Sequence, residues 1–157
     1  AGLVTIAAFE ATAAALDQRV LEVMTARIED ANVEGSLDAL AAAFDAIVVG
    51  PGLGLDERAR RLARHVALSR PEPVVVDADA LTHFSDDARA LRAAAGPRVL
   101  TPHPGELGRL LGTSAEAVEA DRFGALARAV ELTGASRRTV PGGGAGIPAT
   151  VRRPVRA

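Results

Sequence analysis

Three uninterrupted apolar runs end in a glycine-, carboxylate- or proline-bearing turn and pass at once into a stretch of helical period. Residues 46–49 (AIVV) run into GPGLG, residues 74–76 (VVV) into DADAL, and residues 99–100 (VL) into TPHPGE. Apolar runs without polar alternation suit strands buried on both faces. Strands that alternate with helices of about 10–15 residues predict βαβ units and a parallel sheet. The same pattern places earlier strands at 3–7 and, more weakly, 21–26, and a last one at 98–101. Helices are expected at 9–18, from a Ser36 cap to about 44, from Asp56 through the basic run DERARRLARHVALSR, at 86–95, and at 104–111, stopped by Gly112. A capping box, Thr113 to Glu116, opens a last helix to about 132. The expected fold class is therefore α/β, a three-layer, doubly wound, mostly parallel sheet.

The character of the chain changes at Gly134. Residues 134–157 carry five arginines, three prolines and a Gly-Gly-Gly run, and all 20 acidic residues lie before them. No apolar period survives there, so residues 1–133 are expected to form the domain and 134–157 a disordered basic tail. The remaining composition excludes several chemistries. There is no cysteine, hence no disulfide, zinc thiolate or thiol nucleophile. All 18 basic residues are arginine, which removes a P-loop lysine and Schiff-base chemistry. With no Trp or Tyr and four Phe, stacking platforms for single-stranded nucleic acid are not expected. No apolar run approaches a membrane span and no secretory signal is visible, so a cytoplasmic protein without membrane or nucleic-acid partners is expected. The single methionine is Met24, so the N-terminus is expected to be processed or internal to a longer chain.

Function is expected along one edge. In a parallel sheet the strand C-termini lie together, and open α/β sheets bind ligands there. Gly50, Gly52 and Gly54 let backbone approach a ligand closely, and their amides could hold an anion; a tight turn explains them equally well. Asp79 reads best as the N-cap of a helix, while Asp77 stays open as a contact to ribose or metal-bound water, or as a proton carrier. Pro102 and Pro104 hold Thr101 and His103 extended. Pro104 suits the first helical position, with His103 near the N-cap and Glu106 in the first turn, where a carboxylate complements the helix dipole. That accounts for Glu106 but leaves the histidine unexplained, and His103 is the residue expected to touch a ligand. His65 and His83 read as ordinary helix and loop residues. No catalytic triad and no metal cluster is expected.

The segments AGLVTIA, EVMT, DAIVVGPGLG, VVVDADAL and VLTPHPGEL, in this order, resemble the NAD(P)H-hydrate dehydratase family, the C-terminal domain type of the YjeF proteins, related to ribokinase-like kinases. The resemblance covers roughly residues 1–133. It implies a ribokinase-like fold and a repair lyase that returns the S-epimer of hydrated NADH or NADPH (NADHX, NADPHX) to the working cofactor. The hydrate hydroxyl is phosphorylated from ADP or ATP, with Mg2+ expected, and phosphate is then eliminated. It implies that Gly50, Gly52, Gly54 and His103 contact the hydrated dinucleotide and that the intact protein is a homo-oligomer; Asp77 and Glu106 stand as secondary candidates on their position at the strand ends alone. The family continues with a Lys-Gly…Thr strand for the nucleotide and a Gly-Thr-Gly-Asp helix start bearing the catalytic Asp. Neither motif stands in this sequence, and the glycine-rich segment that opens the family domain is also missing. An incomplete domain without dehydratase activity, marginally stable or prone to aggregate, is therefore expected, its tail frameshifted or misassigned. Two alternatives remain: a small-molecule kinase of the ribokinase type, and a non-catalytic α/β binding module.

Overall fold

The computed structural model describes residues 3–19 and 23–135. The first two residues of the AGLVTIA segment, the start of the 21–26 strand and the basic tail from residue 136 onward lie outside the described residues. The chain forms β1 (Thr5–Phe9), α1 (Glu10–Asp17), β2 (Met24–Ile28), α2 (Val33–Ala41), β3 (Ile47–Val49), α3 (Glu57–Ser69), β4 (Val74–Val76) and α4 (Ala78–Thr82). A 3-10 turn (Ala88–Ala93), β5 (Arg98–Leu100), α5 (Pro104–Leu111), α6 (Ala115–Ala120) and α7 (Arg122–Thr133) complete it. All strand pairs are parallel: β1 with β2, and β3–β4–β5 in that order as a second sheet. The two sheets share one apolar core. Phe9 and Ile28 from the first meet Val49, Val74 and Val76 from the second, together with Leu37 of α2, Leu62 and Val66 of α3, and Leu81 and Phe84 around α4. A smaller cluster of Leu107, Val118, Ala125 and Ala129 joins α5, α6 and α7.

Several local expectations are corrected. Asn32, not Ser36, caps α2, accepting from the Gly35 N–H at 3.2 Å; Ser36 turns its hydroxyl back to the carbonyl of Asn32. The 86–95 segment is a 3-10 turn rather than an α-helix. Ser114 rather than Thr113 caps α6, and the helix expected to run on to about 132 breaks at Asp121. The Asp121 carboxylate takes the Gly124 N–H at 2.9 Å and starts α7 as a separate helix. Nor are the apolar runs buried on both faces. Val48, Val75 and Val99 stand abreast in register, and Val48 is 66% and Val99 46% exposed. Among the described residues nothing covers that row fully, which leaves an apolar stripe of the kind soluble monomers keep small.

The end of the sheet opposite the three motifs is built on charge. Arg98, at the start of β5, is 3% exposed. Its guanidinium donates to the carbonyls of Ala67 (2.6 Å), Arg70 (2.5 Å), Glu72 (3.1 Å) and Pro97 (2.9 Å). The first three carbonyls belong to the C-terminal turn of α3 and the loop after it, where the helix dipole favours a cation, and the fourth is that of the residue before Arg98 itself. Burial pushes the Arg98 guanidinium down from its ordinary value, with the Glu72 charge opposing. Beside it, Arg70 donates to both oxygens of Glu72 (2.7 and 3.0 Å) and to Asp38 (2.7 Å), and His65 Nε2 lies 2.8 Å from the same Asp38 oxygen. His65, unremarkable in sequence, therefore helps tie α2 to α3.

This network predicts an acid limb in stability. The hydrogen bond from His65 holds the Asp38 carboxyl below its usual value, and the bonds from Arg70 do the same for Glu72. Both carboxyls have depressed folded values, so their contribution is fully present above the ordinary carboxylate range near 4 and lost as pH falls below it. Glu72→Gln is expected to lower stability at pH 7 by about 1 kcal/mol. Urea titrations repeated at falling pH should show the gap from wild type close as Glu72 itself protonates. A gap of constant size across that range would be inconsistent with the network.

Candidate functional site

The register of β3–β4–β5 sets Val49, Val76 and Leu100 side by side, so the chain leaves all three strands along one line. Backbone bonds carry the alignment past the strand ends: Asp77 N–H donates to the Val49 carbonyl at 3.0 Å, and Thr101 N–H to that of Val76 at 3.3 Å. GPGLG, DADAL and TPHPGE therefore emerge next to one another, as the parallel-sheet argument requires. Helix α4, which carries DADAL, packs against α5, which carries the PHPGE start.

Gly50 has φ 129°, and a Cβ there would lie 1.7 Å from the carbonyl oxygen of Asp77. Two strand ends pass so closely that only glycine fits. Leu53 N–H then closes the turn onto the Gly50 carbonyl at 3.0 Å. Gly54 also lies in the left-handed region (φ 90°), but a Cβ on it, or on Gly52, would meet nothing within 4 Å among the described residues. The far half of the loop thus borders open space.

DADAL departs from expectation. Asp77 takes the N-cap position of α4 but makes no capping bond through its side chain. Asp79 does not cap its own helix either. Its Oδ2 accepts the Gly54 N–H at 2.9 Å, and His83 Nε2 lies 3.0 Å from the Gly54 carbonyl oxygen. The two motifs are therefore joined through residues that sequence reasoning had assigned to a cap and a plain loop. The available signal was the i, i+4 spacing of Asp79 and His83, which puts both on one helix face. Ala78 enters α4 at φ 46°, a conformation that costs a non-glycine residue roughly 1 kcal/mol.

At TPHPGE the helix start is as expected and the role of the histidine is extended. Pro104 opens α5, and His103 is its N-cap. Gly105 N–H donates to His103 Nδ1 at 3.0 Å, while His103 N–H donates to Glu106 Oε2 at 2.9 Å, a reciprocal capping box. Capping thus does account for a histidine here. Because Nδ1 accepts, the neutral ring carries its proton on Nε2, which stands 3.3 Å from Glu106 Oε1. The carboxylate is mostly buried and the imidazole 63% exposed, so the ring is aimed by the cap and remains open to the edge. Next to it, the Thr101 hydroxyl is buried with no hydrogen-bond partner among the described residues. Among the described residues no group of three His, Asp or Glu side chains could hold a metal ion.

Comparison with known proteins gives a consistent picture. A family profile described as NAD(P)H-hydrate dehydratase matches residues 1–135. The chain is 39% identical over 130 residues to the bifunctional NAD(P)H-hydrate repair enzyme Nnr of Moorella thermoacetica, covering 78% of this chain and 24% of that protein. It is 43% identical over 96 residues to the ADP-dependent (S)-NAD(P)H-hydrate dehydratase of Neisseria meningitidis serogroup B, covering 59% of this chain and 32% of that one. Among solved structures, the ADP/ATP-dependent NAD(P)H-hydrate dehydratase of Bacillus subtilis, co-crystallised with ATP/Mg2+ and soaked with CoA, superposes with TM-score 0.61 at 27% identity, covering 83% of this chain and 46% of that one. A Streptococcus mutans protein, SMU.573, shares the fold at TM-score 0.64 and 24% identity, covering 83% and 45%. The chain thus spans about a quarter to a third of these curated relatives and a little under half of the solved chains.

Proposed function

This chain belongs to the NAD(P)H-hydrate dehydratase family, and we propose that its strand-end edge receives the hydrated dinucleotide in ADP- or ATP-dependent dehydration of the S-epimer of NADHX or NADPHX. The observation that carries the reading is the alignment of Gly50, Asp77 and Thr101 along one edge, with the open glycine loop at one end and the exposed His103 ring at the other. Backbone at Gly52 has no side chain to hold an anionic ligand off, while the Gly54 N–H is already given to Asp79 and contributes shape rather than a free donor. The Nε2–H of His103 is a donor suited to a hydroxyl or carbonyl oxygen of the hydrated ring, and Glu106 sets its direction. Asp77 lies between them with its carboxylate uncommitted to capping. These residues bind and orient.

The phosphoryl donor is a different matter. Relatives are named for ADP or ATP, and the family chemistry draws the phosphoryl group from that nucleotide, with Mg2+ to hold it. The described residues offer no three-ligand metal site, and the whole chain has no lysine. The described residues do not fit the donor and its metal. No described helix is long and apolar enough to cross a membrane; a cytoplasmic protein that assembles as a homo-oligomer is part of the same proposal.

The test is equilibrium binding of the S-epimer of NADHX to the purified chain, beside turnover with ADP or ATP and Mg2+. Binding without turnover is expected. His103→Asn keeps a side-chain acceptor for the helix cap, so it should leave thermal stability within about 0.5 kcal/mol while weakening binding about tenfold, as loss of one hydrogen bond does. Unaltered affinity in that variant would remove His103 from the site, and failure of the wild-type chain to bind would remove the dinucleotide reading.

A further inference from the structure

We infer that Asp79 and His83 are positioning residues for the glycine loop: one face of α4 grips Gly54 through both its N–H and its carbonyl and sets the shape in which GPGLG meets a ligand. The inference deepens the dinucleotide reading and rests on it for the identity of the ligand. The two halves of the loop are held by different means. Gly50 is wedged under the Asp77 carbonyl and fixed by packing. Gly54 has no such packing, since a Cβ there would meet nothing within 4 Å among the described residues, and glycine visits the φ 90° conformation without preference for it. Left to itself the far half of the loop would sample many backbone states, and a ligand would have to order it on binding. Two hydrogen bonds take the place of packing: Gly54 N–H to Asp79 Oδ2 at 2.9 Å, and His83 Nε2 to the Gly54 oxygen at 3.0 Å. A carbonyl can only accept, so His83 carries its proton on Nε2.

The gripping element is itself rigid. Ala80, Leu81 and Phe84, on the other side of the same turn, are 0–1% exposed and belong to the main core. Asp79 and His83, half-buried and one helical turn apart, therefore project from an anchored base. The spacing of four matches the reach across one glycine, whose two polar groups point in opposite directions along the backbone.

Amide hydrogen exchange on the isotopically labelled chain, read with S-NADHX affinity, decides the matter. In Asp79→Ala, exchange at Gly54 should speed up about tenfold or more, the loss of one bond to a charged acceptor, while exchange in the core around Phe84 stays as in wild type. Asp79→Asn keeps an acceptor oxygen and should restore protection, and His83→Gln should do so relative to His83→Ala by keeping a donor. S-NADHX affinity should fall in the two alanine variants by a similar factor and recover in the conservative pair. Unchanged Gly54 exchange in Asp79→Ala would overturn the grip. Faster exchange with wild-type affinity would overturn its role in positioning. If the wild-type chain binds no S-NADHX, the dinucleotide reading falls alone, and Gly54 exchange still upholds or overturns the grip.

Discussion

Gly50→Ala should cost the chain more than about 3 kcal/mol, because the new methyl would have to occupy the position of the Asp77 carbonyl oxygen. The contact is between backbone and backbone, so no side chain can rotate away to make room. Either β3 and β4 part at their C-terminal ends, losing the Asp77 N–H to Val49 bond, or Gly50 leaves φ 129° and the loop is redirected. Both outcomes dismantle the edge. Urea denaturation should show the loss, and Gly52→Ala provides the control. At Gly52 an added methyl meets nothing within 4 Å among the described residues, and the left-handed φ of 68° penalises it by about 1 kcal/mol. A Gly50→Ala variant as stable as Gly52→Ala would mean that the two strand ends are not packed as described.

The second large effect is expected at Arg98→Leu, a loss of about 3–5 kcal/mol. The side chain is one of the few polar groups in the interior, and it satisfies four carbonyls at once. Leucine would fill part of the volume but leave those oxygens without donors, and each unsatisfied buried acceptor costs roughly 1–3 kcal/mol. Lysine should recover little, because one ammonium cannot reproduce the planar fork that reaches Ala67, Arg70 and Glu72 together. Since Arg98 begins β5 and His103 follows its far end, this variant should lower the urea midpoint while any folded fraction keeps its ligand affinity. Loss of affinity without loss of stability would contradict that separation.

Much of this was legible in the chain. Five strands, their parallel pairing and the shared edge of the three motifs followed from apolar runs ending in glycine, aspartate and proline. So did the helix starts at Asp56 and at Pro104, the latter because a proline at the first helical position and a carboxylate at the third leave few alternatives. Where several capping residues compete within a few positions, sequence could not choose. Asn32 won over Ser36, and Ser114 over Thr113, since the cap that forms is the one whose partner amide is left unpaired once the helix has docked. The break at Asp121 has the same origin, a side chain offering the backbone an alternative to continuing the helix.

What the sequence alone determined is the family, the α/β order of elements and the presence of GPGLG, DADAL and TPHPGE on one edge, each carried by a signal confined to a few neighbouring residues. Tertiary structure alone decided which partners those motifs take. Asp79 reaches across 25 residues to Gly54, His83 across 29 to the same glycine, and Arg98 across 31 to Ala67. No local period encodes such pairs, because they form only when the docked helices bring unpaired backbone groups within hydrogen-bonding distance.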